Sequence, residues 1–176
     1  DNNNLINDRI ESLIEDIRNQ KFIADFEEWY ASDKLSNLLD GIFYLNSLFY
    51  PDTNYDDYKN KIAGIRNKIW LELKDNLTGF EAIKILNRYI YVIFGYSVEK
   101  KPSEDKALLF PEYIFINKKV SPFPFVATYC LIAESLNLPV FPVYLPGLLL
   151  ISYVNNDIAN EAYGDDSSGV LFYINT

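Results

Sequence analysis

Along the first half of the chain, apolar residues recur every three or four positions. Ile6, Ile10, Leu13, Ile14 and Ile17 keep that rhythm and predict an amphipathic helix over 5–19. Phe22, Ile23, Phe26, Trp29 and Tyr30 carry the period into a second, short helix. Ser32 is placed to cap a third, whose apolar face is Leu35, Leu38, Leu39, Ile42, Leu45 and Phe49, and Pro51 ends it. A fourth helix is predicted from about Tyr55 to Leu73, with Tyr58, Ile62, Ile65, Ile69 and Leu73 on one side. Thr78 and Glu81 have the spacing of a capping box and open a fifth. Its inner face is Ile83, Leu86, Ile90 and Phe94, and Gly95 suits its C′ position.

The pattern then changes. Residues 96–112 open with Glu99, Lys100, Lys101, Pro102 and Ser103 and read as a loop. Lys118 to Pro124 reads as a turn containing Pro122 and Pro124. A helix from about Pro124 to Leu136 should follow, burying Phe125, Tyr129, Cys130, Ala133 and Leu136. Two strands, Val140–Leu145 and Leu148–Val154, come next. A polar stretch from Asn155 to Gly169 leads to a last strand, Val170–Ile174. This order predicts an α+β fold: a helical region over 1–95, then a core over 96–176 with one helix packed on a small antiparallel sheet. The chain begins at Asp1 without a Met, so a native start is missing, through processing or because the segment is partial; it stops at a strand, so further chain is expected beyond Thr176, the core being truncated at its C-terminal end.

Composition narrows the chemistry. Among 176 residues, 25 are acidic and 16 are Lys or Arg, a net charge of −9. That balance disfavours the phosphate backbone of nucleic acid and an anionic membrane surface. No apolar run reaches membrane-spanning length. The chain has no His, which excludes Ser-His-Asp and Cys-His chemistry and any histidine-ligated metal within it. One Cys rules out an internal disulfide and a cysteine metal cluster, and no cofactor is expected. A single unpaired Cys favours a cytoplasmic setting and leaves export after signal cleavage open.

Candidate chemistry is sparse. Cys130 falls mid-helix on an apolar face and reads as a small core residue. Asp157, Glu161, Asp165 and Asp166 form an acidic cluster without the ligand spacing of a calcium loop, so it reads as solvated hairpin and no metal is assigned. Asn76-Leu77-Thr78 has the form of a glycosylation sequon, but helix capping explains Thr78 better. The 14 Tyr residues, many in the helical half, suit core packing or a protein interface.

A resemblance enters at Val120–Ile151, where the sequence runs VSPFPFVATYCLIAESLNLPVFPVYLPGLLLI. It is similar to a bacterial transglutaminase-like family, the SirB-type branch or core "two" group. That pattern runs G-x-P-I/V-S-L, then a helix ending near A-x-x-L-x-L-P, then a strand and L-P-x-H-F-L. Tyr44–Phe49, Ile65–Trp70 and Leu77–Asn87 resemble the family's helical region, so the likeness covers roughly residues 35–176. The departures fall on the chemistry. Active members open the core helix with Cys and place His and Asp on the following strands. Here Pro122 stands at the helix opening, where members of the family themselves often have Pro. Val120 replaces the turn glycine and Pro124 the serine. Leu148 takes the place of the histidine, and the acid falls near Asn175.

The resemblance therefore implies a degenerate, non-catalytic member with no catalytic residue, acting as a protein-interaction or scaffold module. Pro122, Leu148 and Asn175 would mark the remnant cleft, and Phe123, Pro124 and Pro146 a candidate interaction surface. Two other readings stay open: a small-molecule binding module using an apolar remnant cleft, and a hydrolase using carboxylates. The expected partner is another protein.

Overall fold

A computed structural model describes residues 2–31, 38–47, 54–99, 106–158 and 169–175. The chain divides into two compact units, Asp1–Asp57 and Tyr58–Thr176. The division lies well before the expected boundary at 95/96. The physical reason is that the helices after residue 58 bury their apolar faces in the same core as the sheet.

In the first unit, α1 runs unbroken from Asn2 to Ala31, where the sequence pattern predicted two helices. No Gly or Pro interrupts residues 19–22. Its stripe of Ile6, Ile10, Leu13, Ile14 and Ile17 is exposed rather than buried. Helix α2, Leu38–Ser47, buries Ile42 and Asn46. Gly41 is required there, because a Cβ would lie 2.8 Å from the Trp29 ring. The predicted cap Ser32, together with Leu35, Phe49 and Pro51, lies outside the described residues.

Helix α3, Tyr55–Trp70, starts on Asn54, whose side chain accepts from the Asp56 N–H at 2.8 Å. Tyr58, Ile62, Ile65 and Ile69 are buried as the pattern predicts. Arg66 Nε donates to the Ser135 carbonyl at 2.7 Å, and Lys61 Nζ pairs with buried Glu112 at 2.6 Å. Those bonds tie α3 into the second unit's core. Helix α4, Gly79–Asn87, has the predicted capping box: the Glu81 N–H donates to Thr78 Oγ1 at 3.3 Å, and the Thr78 N–H to Glu81 Oε2 at 2.9 Å. The Thr78 N–H, and then the Thr78 hydroxyl donating to the same Oε2 at 2.8 Å, hold the Glu81 carboxyl below its ordinary range. The chain then widens into a π-helical turn, Arg88–Ile93, before Gly95 at φ +71°.

The expected loop after Gly95 contains a short strand, β1 (Ser97–Val98). It pairs in parallel with β2 (Lys119–Val120), which follows the short helix α5 (Tyr113–Asn117). Two-residue strands of this kind depend on distant pairing, so local pattern does not reveal them. Helix α6, Pro122–Ser135, begins two residues earlier than expected, with Pro122 as its first residue. Strands β3 (Val140–Leu145), β4 (Leu148–Val154) and β5 (Val170–Asn175) form an antiparallel sheet in that order. Helix α6 packs on β3 and β4. Full burial of Ile69, Leu86, Ile90, Ile132 and Ile151 is worth about 1.5–3 kcal/mol each.

Candidate functional site

The candidate site is the start of α6 and the adjoining hairpin. Ser121 enters α6 in extended conformation, its N–H donating to the Leu108 carbonyl at 2.8 Å. Pro122 is exposed, and Phe123 is 65% exposed. Pro124 is buried, so it leaves the candidate interaction surface. From Phe125 inward nearly every α6 side chain is covered, because the helix packs on β3 and β4 and also against β1 and β2.

Cys130 is eight residues beyond Pro122, roughly 12 Å along the helix. It is 4% exposed. Burial, and then the Glu134 carboxylate nearby, push its thiol up to about 12. At neutral pH such a thiol stays protonated, and the thiol form is a poor nucleophile. Its neighbour Tyr129 is also buried, and its phenol donates to Asn87 Oδ1 at 2.8 Å. Desolvation raises that phenol further above its ordinary value.

The β3–β4 hairpin closes through Pro146–Gly147, with Leu145 opposite Leu148. Gly147 takes φ +76°, and Pro followed by such a Gly is the order of a type II turn. Strand alternation sorts the rest. Val140, Ile151, Tyr153 and Ile174 share the buried face. Leu145, Leu148, Leu150 and Asn175 share the other, with Leu150 directly across from Asn175. Leu148 and Asn175 are therefore neighbours. They lie on the side away from the core, and the pleat does not bring them to Pro122 at the helix start. The three remnant positions do not form one cleft.

The hairpin instead presents an apolar surface. Phe141, Tyr144, Leu145, Leu148 and Tyr173 are each at least 44% exposed, and Pro146 stands at the tip. Strand β3 is the sheet edge, where Pro142 removes a backbone donor without breaking the ladder. Sequence reasoning named Pro146 and Leu148 but missed Phe141 and Tyr144. Phe141 lies on the outer face with Leu145 and Leu148, Tyr144 on the opposite face, and an apolar run gives no sign of which side chains stay uncovered.

Of the acidic cluster, Glu161, Asp165 and Asp166 lie outside the described residues, and Asp157 is exposed.

A helix packed on a small antiparallel sheet, preceded by helices, is the arrangement that the resemblance implied. The family model for the Transglutaminase-like superfamily matches residues 56–175. The chain belongs to the transglutaminase-like superfamily. The matched span nearly coincides with the second compact unit, so the transglutaminase-like part comprises α3 to β5 together. No curated protein and no solved structure matches the chain. Among the described residues no helix is long and apolar enough to cross a membrane.

Proposed function

We propose that this chain is a non-catalytic, SirB-type transglutaminase-like protein that works as a protein-interaction or scaffold module. The observation that carries this reading is the state of the only thiol. Cys130 is buried two turns inside α6 and held protonated, and no His exists in the sequence to deprotonate it. The helix start, where the superfamily's nucleophile belongs, carries Pro122. Apolar side chains on the outer face of the exposed hairpin, chiefly Phe141, Leu145 and Leu148, supply the contact surface. An acidic protein with one unpaired thiol suits a cytoplasmic setting in a bacterial cell.

Two measurements test the reading. The purified chain, given peptide and glutamine-amide substrates, should show no turnover that differs between wild type and Cys130→Ala. Cysteine-dependent hydrolysis or acyl transfer would overturn it. Native purification should yield a stoichiometric partner whose association is lost in Phe141→Glu and Leu148→Glu. A partner retained by both variants would remove the hairpin from the interface.

A further inference from the structure

Helix α1 is long for what it packs against. It spans 30 residues, yet every residue from Leu5 to Lys21 is exposed. The half-buried ones, Phe22, Asp25, Phe26 and Trp29, all lie in its last third. There Trp29 lies against Gly41 and the Tyr44 ring of α2. Helices in water draw most of their stability from packing an apolar face, not from propensity. The first two-thirds of α1 has such a face and nothing described against it.

That face keeps a seven-residue repeat. With Ile10 and Ile17 at position a of a heptad abcdefg, Ile6 and Leu13 fall at d. Gln20 and Ala24 continue the series at d and a. The steps alternate between four and three residues, an average of 3.5, which is the period of a left-handed supercoil of helices. Ile at a with Leu at d suits two strands. Ile6, Ile10, Leu13 and Ile17 are each at least 49% exposed. In the same register Phe22 and Trp29 take f and Phe26 takes c, so α2 packs on the side away from the seam and leaves it open. Asp8 and Glu15 at f, with Glu11 and Arg18 at b, also point the charged face outward.

Charge selects the occupant. α1 carries seven acidic residues against three Lys or Arg, so an anionic lipid surface repels it. A second copy fits instead. The residues that flank a coiled-coil seam, at e and g, set partner choice. In a parallel pair Asp16 at g faces Lys21 at e of the second copy; in an antiparallel pair Asp16 faces Arg9 at g. Opposite charges meet in either orientation, and no like charges do. Arg9, Asp16 and Lys21 form no ion pair among the described residues of one chain.

We propose that α1 is a dimerisation helix, its Ile6–Ile10–Leu13–Ile17 seam packed on the same seam of a second copy of this chain in a two-stranded coiled coil. The helix precedes the span matched by the family model, so the dimer would be added to the transglutaminase-like part and not built from it.

Sedimentation equilibrium of the full chain tests this. The mass should rise from that of one chain toward two, with a dissociation constant of about 0.1 mM or tighter. Ile10→Glu and Leu13→Glu put a charge in the seam at positions exposed in the single chain, and each should weaken association at least about thirtyfold. Asp16→Lys should weaken it about fivefold at low salt. Adding Lys21→Asp should restore a parallel pair, and adding Arg9→Asp an antiparallel one. A wild-type chain that stays monomeric up to about 0.5 mM overturns the proposal, whether another part of the chain or another protein covers the stripe. A dimer untouched by both Glu variants lies elsewhere and overturns the seam. An Asp16→Lys loss that neither second substitution repairs overturns the register.

Discussion

Gly79→Ala should destabilise this protein, although helix propensity alone says the reverse. Gly79 is the first residue of α4, and it does not adopt a positive φ. Alanine at a helical position is favoured over glycine by up to about 1 kcal/mol, and by a few tenths at a helix end. The structure opposes that gain. The new methyl would lie 2.5 Å from Tyr153 Cε1 and Cζ. The ring is poorly placed to yield, because it is buried and stacked on Phe172 with centroids 5.1 Å apart and planes 3° from parallel. Forcing such a ring aside costs about 1–3 kcal/mol. The net expectation is a loss of about 2 kcal/mol, or about 4–8 °C in Tm. Urea unfolding followed by far-UV circular dichroism would measure it. The decisive control is a double-mutant cycle with Tyr153→Leu. Without the ring, Gly79→Ala should be neutral to within about 0.5 kcal/mol, giving an interaction energy of about 2 kcal/mol. A stabilising Gly79→Ala, or the same loss in both backgrounds, would refute the close approach of α4 to β4.

Three further outcomes are expected. Thr78→Ala removes the capping-box acceptor and should lower stability by about 1 kcal/mol, measured by urea unfolding; no change would mean that the box does not hold α4 in solution. The Cys130 thiol is raised in the fold, so its contribution to stability is complete below its unfolded value near 9 and fades as pH rises toward about 12. Urea midpoints between pH 8 and 10 should therefore fall more steeply for wild type than for Cys130→Ala, and a thiol reagent should label Cys130 only at the rate of unfolding; parallel midpoints or rapid native labelling would contradict its burial. Lys61→Ala strips the ion partner at 2.6 Å from buried Glu112, and because the lysine is half-exposed the loss should be about 2 kcal/mol, below that of a fully buried pair. In a double-mutant cycle with Glu112→Gln the loss should largely disappear; the same loss in both backgrounds would assign it to lysine packing instead.

Sequence by itself determined what depends on neighbours within a few positions. The Thr78–Glu81 box, the buried stripe of α3 and the three strands after Pro139 are legible because capping, 3.6-residue periodicity and apolar runs are local properties. The absence of His is likewise absolute in the sequence, and it limits the chemistry whatever the fold. The superfamily pattern over Val120–Ile151 is equally a property of the string, and the family match bears out its broad form.

Tertiary structure decided everything that depends on which surface meets which. The α1 stripe has an amphipathic pattern, yet it stays exposed among the described residues because periodicity names a face and not its partner. Leu148 and Asn175 align with superfamily positions in sequence, but strand pleat puts them on the outer face of the sheet, and only the β4–β5 register reveals this. Pro124 and Pro122 are two residues apart on one helix, and packing buries one and exposes the other. The close approach of Gly79 and Tyr153 spans 74 positions. No local rule links a helix-start glycine to a strand tyrosine so far along the chain. Their contact exists only because the helices and the sheet close around one core.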